Sequence, residues 1–348
     1  VLILITIKDL AKIADVSPTT VSNVLNGRFQ KVSDETLAKV QAVIEETNYV
    51  SNMGGRLLAN HGSRIIGVII HYNRSRLELS IAQTPFHSEL IGFLEESIRN
   101  NNYYMMLHTS MNYEESIRMA SAWNVEGLIV LGGNANEIES FLKATDIPVV
   151  FIDSYADPQL PNYYNVGLAD FEGARLMTSY LIEAGFNKIG FLADMVIPDG
   201  VDAERLKGFQ QAYREHQLAY QPDNFISIDY RKAVRHQMFE QFIKKDLNTY
   251  DALFFASDYY AVDTMNLFLD AGISVPEQIS ITGFDNNILS EQSRPRLTTV
   301  SQNILEKGQT AVEMLLKIIR AEKIEANNIA LPVEIVKRQS VSSRKIDV

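Results

Sequence analysis

The chain holds 348 residues, 46% of them hydrophobic, with 32 Lys and Arg against 43 Asp and Glu and a net charge of −11 at pH 7. That length allows several domains with sizeable cores. There is no Cys, which excludes disulfides, thiolate metal sites and a Cys nucleophile, and fits the reducing cytoplasm where the protein is expected to act. No apolar run approaches the roughly 20 residues of a membrane span. The apolar opening, residues 1–5, is far too short for a span or a signal peptide, so no membrane partner is expected.

The first fifty residues read as three helices. Thr6, with Asp9 three residues on, makes a capping-box start. Leu10, Ile13 and Ala14 follow at helical spacing and form one apolar face. Asp15 and Val16 are the turn. Ser17 caps a second helix with Pro18 at its first position, where a missing N–H costs nothing. Val21, Val24 and Leu25 face back onto the first helix, and Asn26-Gly27 ends the second. Ser33 starts a third, with Asp34 and Glu35 in its first turn and Leu37, Val40 and Ile44 on its buried side.

Two short helices joined by a tight turn make a helix-turn-helix. It leaves Pro18, Thr19, Thr20, Ser22 and Asn23 outward, small polar side chains that fit a major groove and meet base edges or thymine methyls. Thr6 and Asn26, at the ends of the motif, complete the candidate DNA contacts in the head. The plainer alternative is a three-helix cap with solvated polar faces. Residues 1–64 hold seven Lys or Arg and six Asp or Glu. Phosphate neutralisation supplies most non-specific affinity, so one head grips duplex DNA weakly and two heads on a homodimer are required. Helix N-termini add phosphate contacts.

From residue 64 short apolar runs alternate with amphipathic helices. Strands are expected at 65–71, 104–108, 127–131 and 149–153, with helices near 87–101, 113–124 and 135–144. A second series places strands near 188–193, 225–229, 252–257 and 279–284, with helices near 169–185, 203–217, 231–246 and 259–271. A helix over 303–320 and a strand-like stretch at 328–337 follow. Such alternation implies parallel sheets covered on both faces, here two doubly wound subdomains, with ligands at the C-terminal strand ends. The chain has no G-x-G pair, no Walker A loop and no Ser-centred elbow, so an enzyme is not expected. None of the six His pairs at i, i+3 or i, i+4, so neither metal nor cofactor is expected.

Several polar and aromatic residues fall where strands end or helices start. Phe86 and His87 start the first core helix, and Asp153 ends a strand. Arg205 begins a helix after the loop 194–203. Tyr230 follows a strand, Ser257 ends another, and Asp285 follows the run 279–284. A carboxylate accepts from two hydroxyls, a guanidinium donates in a fixed fork, and an aromatic ring covers the apolar face of a sugar. Each acid alone could equally be a solvated strand end or a helix cap.

Taken in order, the segment from Thr6 to Asn26, Val32-Ser33-Asp34-Glu35-Thr36, Tyr49, Arg56-Leu57-Leu58-Ala59, Ile66-Gly67-Val68-Ile69-Ile70, Arg205-Leu206-Lys207-Gly208-Phe209, Val275-Pro276, Ile281-Thr282-Gly283-Phe284-Asp285 and Leu297-Thr298-Thr299-Val300 resemble the LacI/GalR family of bacterial transcriptional regulators across essentially the whole chain. The resemblance implies a helix-turn-helix head at 1–48, a hinge helix at 49–63, and a core resembling periplasmic binding proteins. It assigns 64–165 and 294–327 to one subdomain and 166–293 and 328–348 to the other, with crossings near 165, 293 and 327. Arg56 and Leu58 match the hinge contacts to DNA, the leucine being a minor-groove wedge. Arg205 and Asp285 match the main polar effector contacts and Tyr230 the aromatic wall. Phe86, His87, Asp153 and Ser257 match further lining positions.

The implied function is a sequence-specific, homodimeric repressor of a carbohydrate-use operon, released from double-stranded operator DNA by a small neutral sugar. Asp199 stands where purine-binding members tend to carry Arg, and with Asp202 it disfavours an anionic ligand. Control by a phosphoprotein corepressor or a non-sugar metabolite is the alternative. A solute-binding transport protein fits the core but not the head. The hinge departs from the family pattern at Ser51 and at Gly54-Gly55, and each Gly costs a helix about 1 kcal/mol relative to Ala. A hinge that folds only on DNA is expected. Replacing both glycines with Ala should therefore tighten operator binding and blunt effector release, measured by fluorescence anisotropy on labelled operator.

Overall fold

The computed structural model describes residues 5–25, 28–47, 49, 62–71, 81–194, 197 and 199–342. It divides into two units, Val1–Ser63 and Arg64–Val348. The first is a three-helix head of α1 (Ile7–Ile13), α2 (Pro18–Leu25) and α3 (Asp34–Thr47). Its centre is Leu10, Ala11, Ala14, Val21, Val24, Val40 and Val43. Two details differ from the periodicity. Ile13 is 53% exposed, and Ala11 takes its place in the core. In α3 Val43 is buried, while Leu37 and Ile44 pack at the margin. Small residues let α1 lie close to α2, which a larger Ile at that seam would prevent. Asp15 makes the turn with a φ of 51°, a left-handed conformation that Asp tolerates.

The second unit holds two six-stranded sheets. The first lobe contains β1 (Ile65–His71), α4 (Pro85–Asn100), β2 (Tyr104–Ser110), α5 (Tyr113–Ala122), β3 (Gly127–Leu131), α6 (Ala135–Ala144), β4 (Val149–Ile152) and β5 (Asn165–Leu168). The second contains α7 (Asp170–Glu183), β6 (Ile189–Ala193), α8 (Gly200–Glu215), β7 (Phe225–Ser227), α9 (Lys232–Lys245), β8 (Ala252–Phe255), α10 (Asp258–Asp270), β9 (Ser280–Asp285), α11 (Ile288–Gln292) and β10 (Thr298–Gln302). The chain then returns through α12 (Ile304–Ile319) and β11 (Asn328–Leu331) to the first lobe, and ends with β12 (Val333–Val336) in the second.

The strand orders are β11-β5-β4-β3-β1-β2 and β12-β10-β9-β8-β6-β7. Every pairing is parallel except β10 with β12. Strands such as β3, β4, β6 and β8 are buried along their whole length, as strands covered on both faces must be.

The subdomain limits need correction. Strand β10 pairs with β9, so 294–302 belongs to the second lobe and the second crossing falls at 302–303 rather than near 293. The stretch 328–337 is not one strand. Pro332 interrupts it: β11 pairs with β5 in the first sheet and β12 with β10 in the second, so the third crossing is at Pro332 rather than near 327. Proline lacks the N–H a continuing ladder needs, which makes it a natural place to change sheets. Strand β5 was not expected either. It is four residues long and contains Gly167, too little for a strand signal.

Among the described residues no helix is long and apolar enough to cross a membrane. Helices α7 and α8 pack with backbones in near contact at Gly208, where a Cβ would lie 2.0 Å from the Phe171 carbonyl oxygen. Gly208→Ala must therefore push the two helices apart, and should cost about 1–3 kcal/mol in urea or thermal unfolding.

Candidate functional site

The head places its candidate DNA contacts on and around α2. Ser17 caps this helix, accepting from the Thr20 N–H at 3.0 Å, and its hydroxyl also bonds the Thr20 hydroxyl at 2.8 Å. Pro18 and Thr19 are exposed, while Thr20, Ser22 and Asn23 are half-buried. Thr6 serves α1 as its cap. Its hydroxyl donates to Asp9 Oδ2 at 2.6 Å and accepts from the Asp9 N–H at 3.3 Å. The Thr6 hydroxyl, together with the Thr6 N–H that also donates to Oδ2 at 2.9 Å, holds the Asp9 carboxyl below the usual carboxylate range. Asn26, Arg56 and Leu58 lie outside the described residues, as do Ser51, Gly54 and Gly55.

In the core, the C-terminal ends of both sheets face a cavity of about 360 Å³. Phe86, His87, Asp153, Arg205, Ser257 and Asp285 all line it. Tyr230 does not. Strand β7 is only three residues long at the sheet edge, and no residue of the loop that follows it is among the described lining residues. Arg231 lies over the Tyr230 ring and Arg235 binds the Tyr230 carbonyl at 2.9 Å. The aromatic wall comes instead from Tyr259 and Tyr260 in the first turn of α10. Tyr260 donates to Asp194 at 2.8 Å. Their position directly after Ser257-Asp258 was a usable signal, because residues that open a helix after a strand end face the cleft.

Arg205 is buried on α8. Its Nε donates to Asp170 Oδ1 at 2.8 Å, Nη1 donates to the Ala256 carbonyl, and its guanidinium lies 3.7 Å from the centre of the Phe284 ring. Asp170 also accepts the Tyr155 hydroxyl. Asp285 ends β9 at a φ of 127°, a conformation rare outside glycine. It accepts from Ser257 Oγ at 3.1 Å and from Gln302 Nε2 at 2.8 Å. Asp153 follows β4 directly at a φ of 52° and pairs with Lys307 at 2.7 Å. Sequence reading missed Asp170, Asp194, Tyr259, Tyr260, Gln302 and Lys307. Gln302 went unnoticed because its strand did.

Burial dominates the titration of these groups. It pushes Asp202 up to about 7, against the pull of Arg205. It pushes Asp285 up to about 6, again opposed by Arg205 and by the Ser257 and Gln302 hydrogen bonds. The His87 imidazole falls to about 4 through burial, so it is neutral at pH 7. Of the described lining residues, Asp153, Asp194, Asp202 and Asp285 are carboxyl groups and Arg205 is the only guanidinium or ammonium. Such a site accepts hydrogen bonds readily and repels anions. No group of three or more His, Asp or Glu among the described residues is placed to hold a metal ion.

Comparison with known proteins agrees with this architecture. Residues 6–52 match the profile described as bacterial regulatory proteins, lacI family, and residues 178–341 match a periplasmic binding protein-like domain. The chain is 31% identical to the HTH-type transcriptional repressor PurR of Aliivibrio salmonicida, over 97% of this chain and 98% of that one. The chain belongs to the LacI family. This LacI-family member is a DNA-binding transcriptional repressor and not an enzyme. Its fold matches the lac repressor dimer bound to operator and the anti-inducer ONPF, with a TM-score of 0.80 at 24% identity over 97% of this chain and 99% of that one. The complex of the transcriptional regulator CelR with cellobiose gives 0.70 at 22% identity, with the same coverage.

Asp202 and Asp285 hold their protons to higher pH in the folded chain than in the unfolded one, where the carboxyl value is 3.8. These two groups therefore contribute stability that is present below about pH 4 and lost as pH rises to about 7, while the buried His87 imidazole contributes in the opposite sense. Asp202→Asn should raise the melting temperature most at pH 8 and progressively less as the pH falls toward 4, measured by calorimetry of the unliganded protein.

Proposed function

We propose that this repressor controls a carbohydrate-use operon in the cytoplasm and is released from operator DNA by a small neutral sugar held between its two lobes. The observation that carries this reading is the cleft itself. Arg205 and Asp285 lie at its base, and Tyr259 and Tyr260 supply an aromatic wall. Carboxylates accept from ligand hydroxyls while a ring covers the apolar face of a pyranose. The lac repressor of similar fold was solved as a dimer on operator DNA, and CelR was solved with cellobiose. By analogy, the repressor acts as a homodimer with one head on each half-site.

Two heads also answer the near-neutral charge of a single head, since each gains few phosphate contacts alone. The sugar releases DNA only by favouring one arrangement of the lobes over another; tight binding without such a preference shifts nothing.

The similarity to PurR favours a second reading, a non-sugar metabolite. The acidic lining argues against any anionic member of that class.

A thermal-shift screen against neutral mono- and disaccharides, sugar phosphates and nucleobases separates the two. A ligand at 100 times its Kd stabilises the protein by about 2.7 kcal/mol. A neutral sugar should raise the melting temperature and lower operator affinity. Arg205→Ala combined with Asp170→Asn, so that the buried carboxylate Arg205 pairs with is not left unmatched, should abolish both effects while leaving operator binding intact. A shift with nucleobases alone would replace the sugar reading by the second.

A further inference from the structure

Lys307 is out of place by ordinary rules. Its side chain is 1% exposed. It lies in the first turn of α12, where the positive end of the helix dipole disfavours a cation. A buried ammonium survives there only if its partners are close and well aimed. Here Nζ donates to Asp153 Oδ1 at 2.8 Å, to Asp153 Oδ2 at 2.7 Å and to Gln302 Oε1 at 2.8 Å, and lies 5.3 Å from the centre of the Phe86 ring.

These contacts belong to a longer chain. The amide of Gln302 faces both ways. Its oxygen accepts from Lys307, while its Nε2 donates to Asp285 Oδ1 at 2.8 Å. Asp285 Oδ2 in turn accepts from Ser257 at 3.1 Å. Asp153 and Lys307 stand on the first lobe, and Gln302, Asp285 and Ser257 on the second. The series Asp153–Lys307–Gln302–Asp285–Ser257 thus runs along the cavity and crosses between lobes at the Lys307–Gln302 bond. Other bonds cross as well: Tyr155 to Asp170, and the Ile288 N–H to Glu89. Neither of them touches Asp153 or Asp285.

We infer that Lys307 is a positioning residue that ties the strand-end carboxylates of the two lobes to each other through Gln302, and so holds the lobes in the arrangement seen here. Three consequences follow. Asp153 is charge-matched by Lys307, while Asp194, Asp202, Arg205, Tyr259 and Tyr260 all stand on the second lobe, so the polar contacts left for a ligand fall mainly there. A ligand hydroxyl donating to Asp285 competes with the Gln302 amide. Loosening that amide loosens the Lys307 bond in the other lobe, which couples the lobes with no ligand contact to Lys307 itself. The inference concerns lobe coupling and holds for any effector class.

The absence of Cys makes the test direct. Asn100→Cys on α4 and Lys244→Cys on α9 place one spin label on an exposed helix position of each lobe. Double electron–electron resonance on the unliganded full chain, mixed with a large excess of unlabelled chain so that each homodimer carries at most one labelled copy, then reads the distance between them. The parent should show one narrow distribution. Lys307→Met and, separately, Gln302→Leu should each add a longer-distance population.

The Lys307→Met, Asp153→Asn double variant is the decisive case, because Asn tolerates the left-handed backbone at position 153. Neutralising both partners leaves no unpaired buried charge. The melting temperature should therefore recover from that of Lys307→Met alone, while the longer-distance population persists. If Lys307 merely neutralised Asp153, the double variant would show the parent's single distribution. That result would overturn the inference, as would a parent-like distribution in Gln302→Leu, which keeps the ion pair and tests the bond even if Lys307→Met fails to fold.

Discussion

A guanidinium deep in a cleft has to be matched from every side, and much of the second lobe is arranged around this need. Arg205 reaches Asp170 at the start of α7, the carbonyl at the end of β8 and the ring of Phe284 on β9. Three elements are thereby set against α8 by one side chain. The near-contact of α7 with α8 at Gly208 belongs to the same arrangement, because a wider spacing would carry Arg205 away from Asp170. Leaving such a charge unmatched costs several kcal/mol, so the surrounding groups are constrained far more tightly than ordinary packing would require.

The carboxyl groups follow from that first charge. Arg205 pulls the nearby acids down while burial pushes them up, and burial wins at Asp202 and Asp285. The cavity therefore holds polar groups poised between ionised and neutral forms. Such groups respond strongly to whatever donors a ligand brings, because one proton or one hydrogen bond decides their state. Lys307 answers the same problem on the first lobe, where the half-buried Asp153 would otherwise stand without a counter-charge.

Much of this was legible in the sequence, for identifiable reasons. Strand β3 and helix α6 fall at the residues that their apolar patterns indicate. Long amphipathic helices announce themselves by period, and fully buried strands by continuous apolar runs. Strand β10, Thr-Thr-Val-Ser-Gln, has neither signal, since its hydroxyl-bearing residues are buried through tertiary bonds such as Thr299 to Asp258. The cavity residues were visible wherever a polar side chain interrupts an apolar run at a strand end, as at Asp153 and Asp285. Tyr230 satisfied the same pattern and does not line the cavity; it follows a three-residue strand at the sheet edge. Lys307 left no mark at all. One Lys among the charged residues of an amphipathic helix reads as solvent-facing, and only the fold turns it inward.

The two lobes are joined by three separate passages of the chain, after β5, after β10 and at Pro332. A single passage would act as a swivel, leaving the lobes free to twist and slide in any direction. Three straps side by side remove most of those freedoms and leave one soft motion, a bend about the line that joins them. Whatever fills the cavity is thus converted from a volume into an angle. Such a device reads the separation of the walls, and the bond from Gln302 to Asp285 makes that separation depend on which groups a ligand meets as well as on its size.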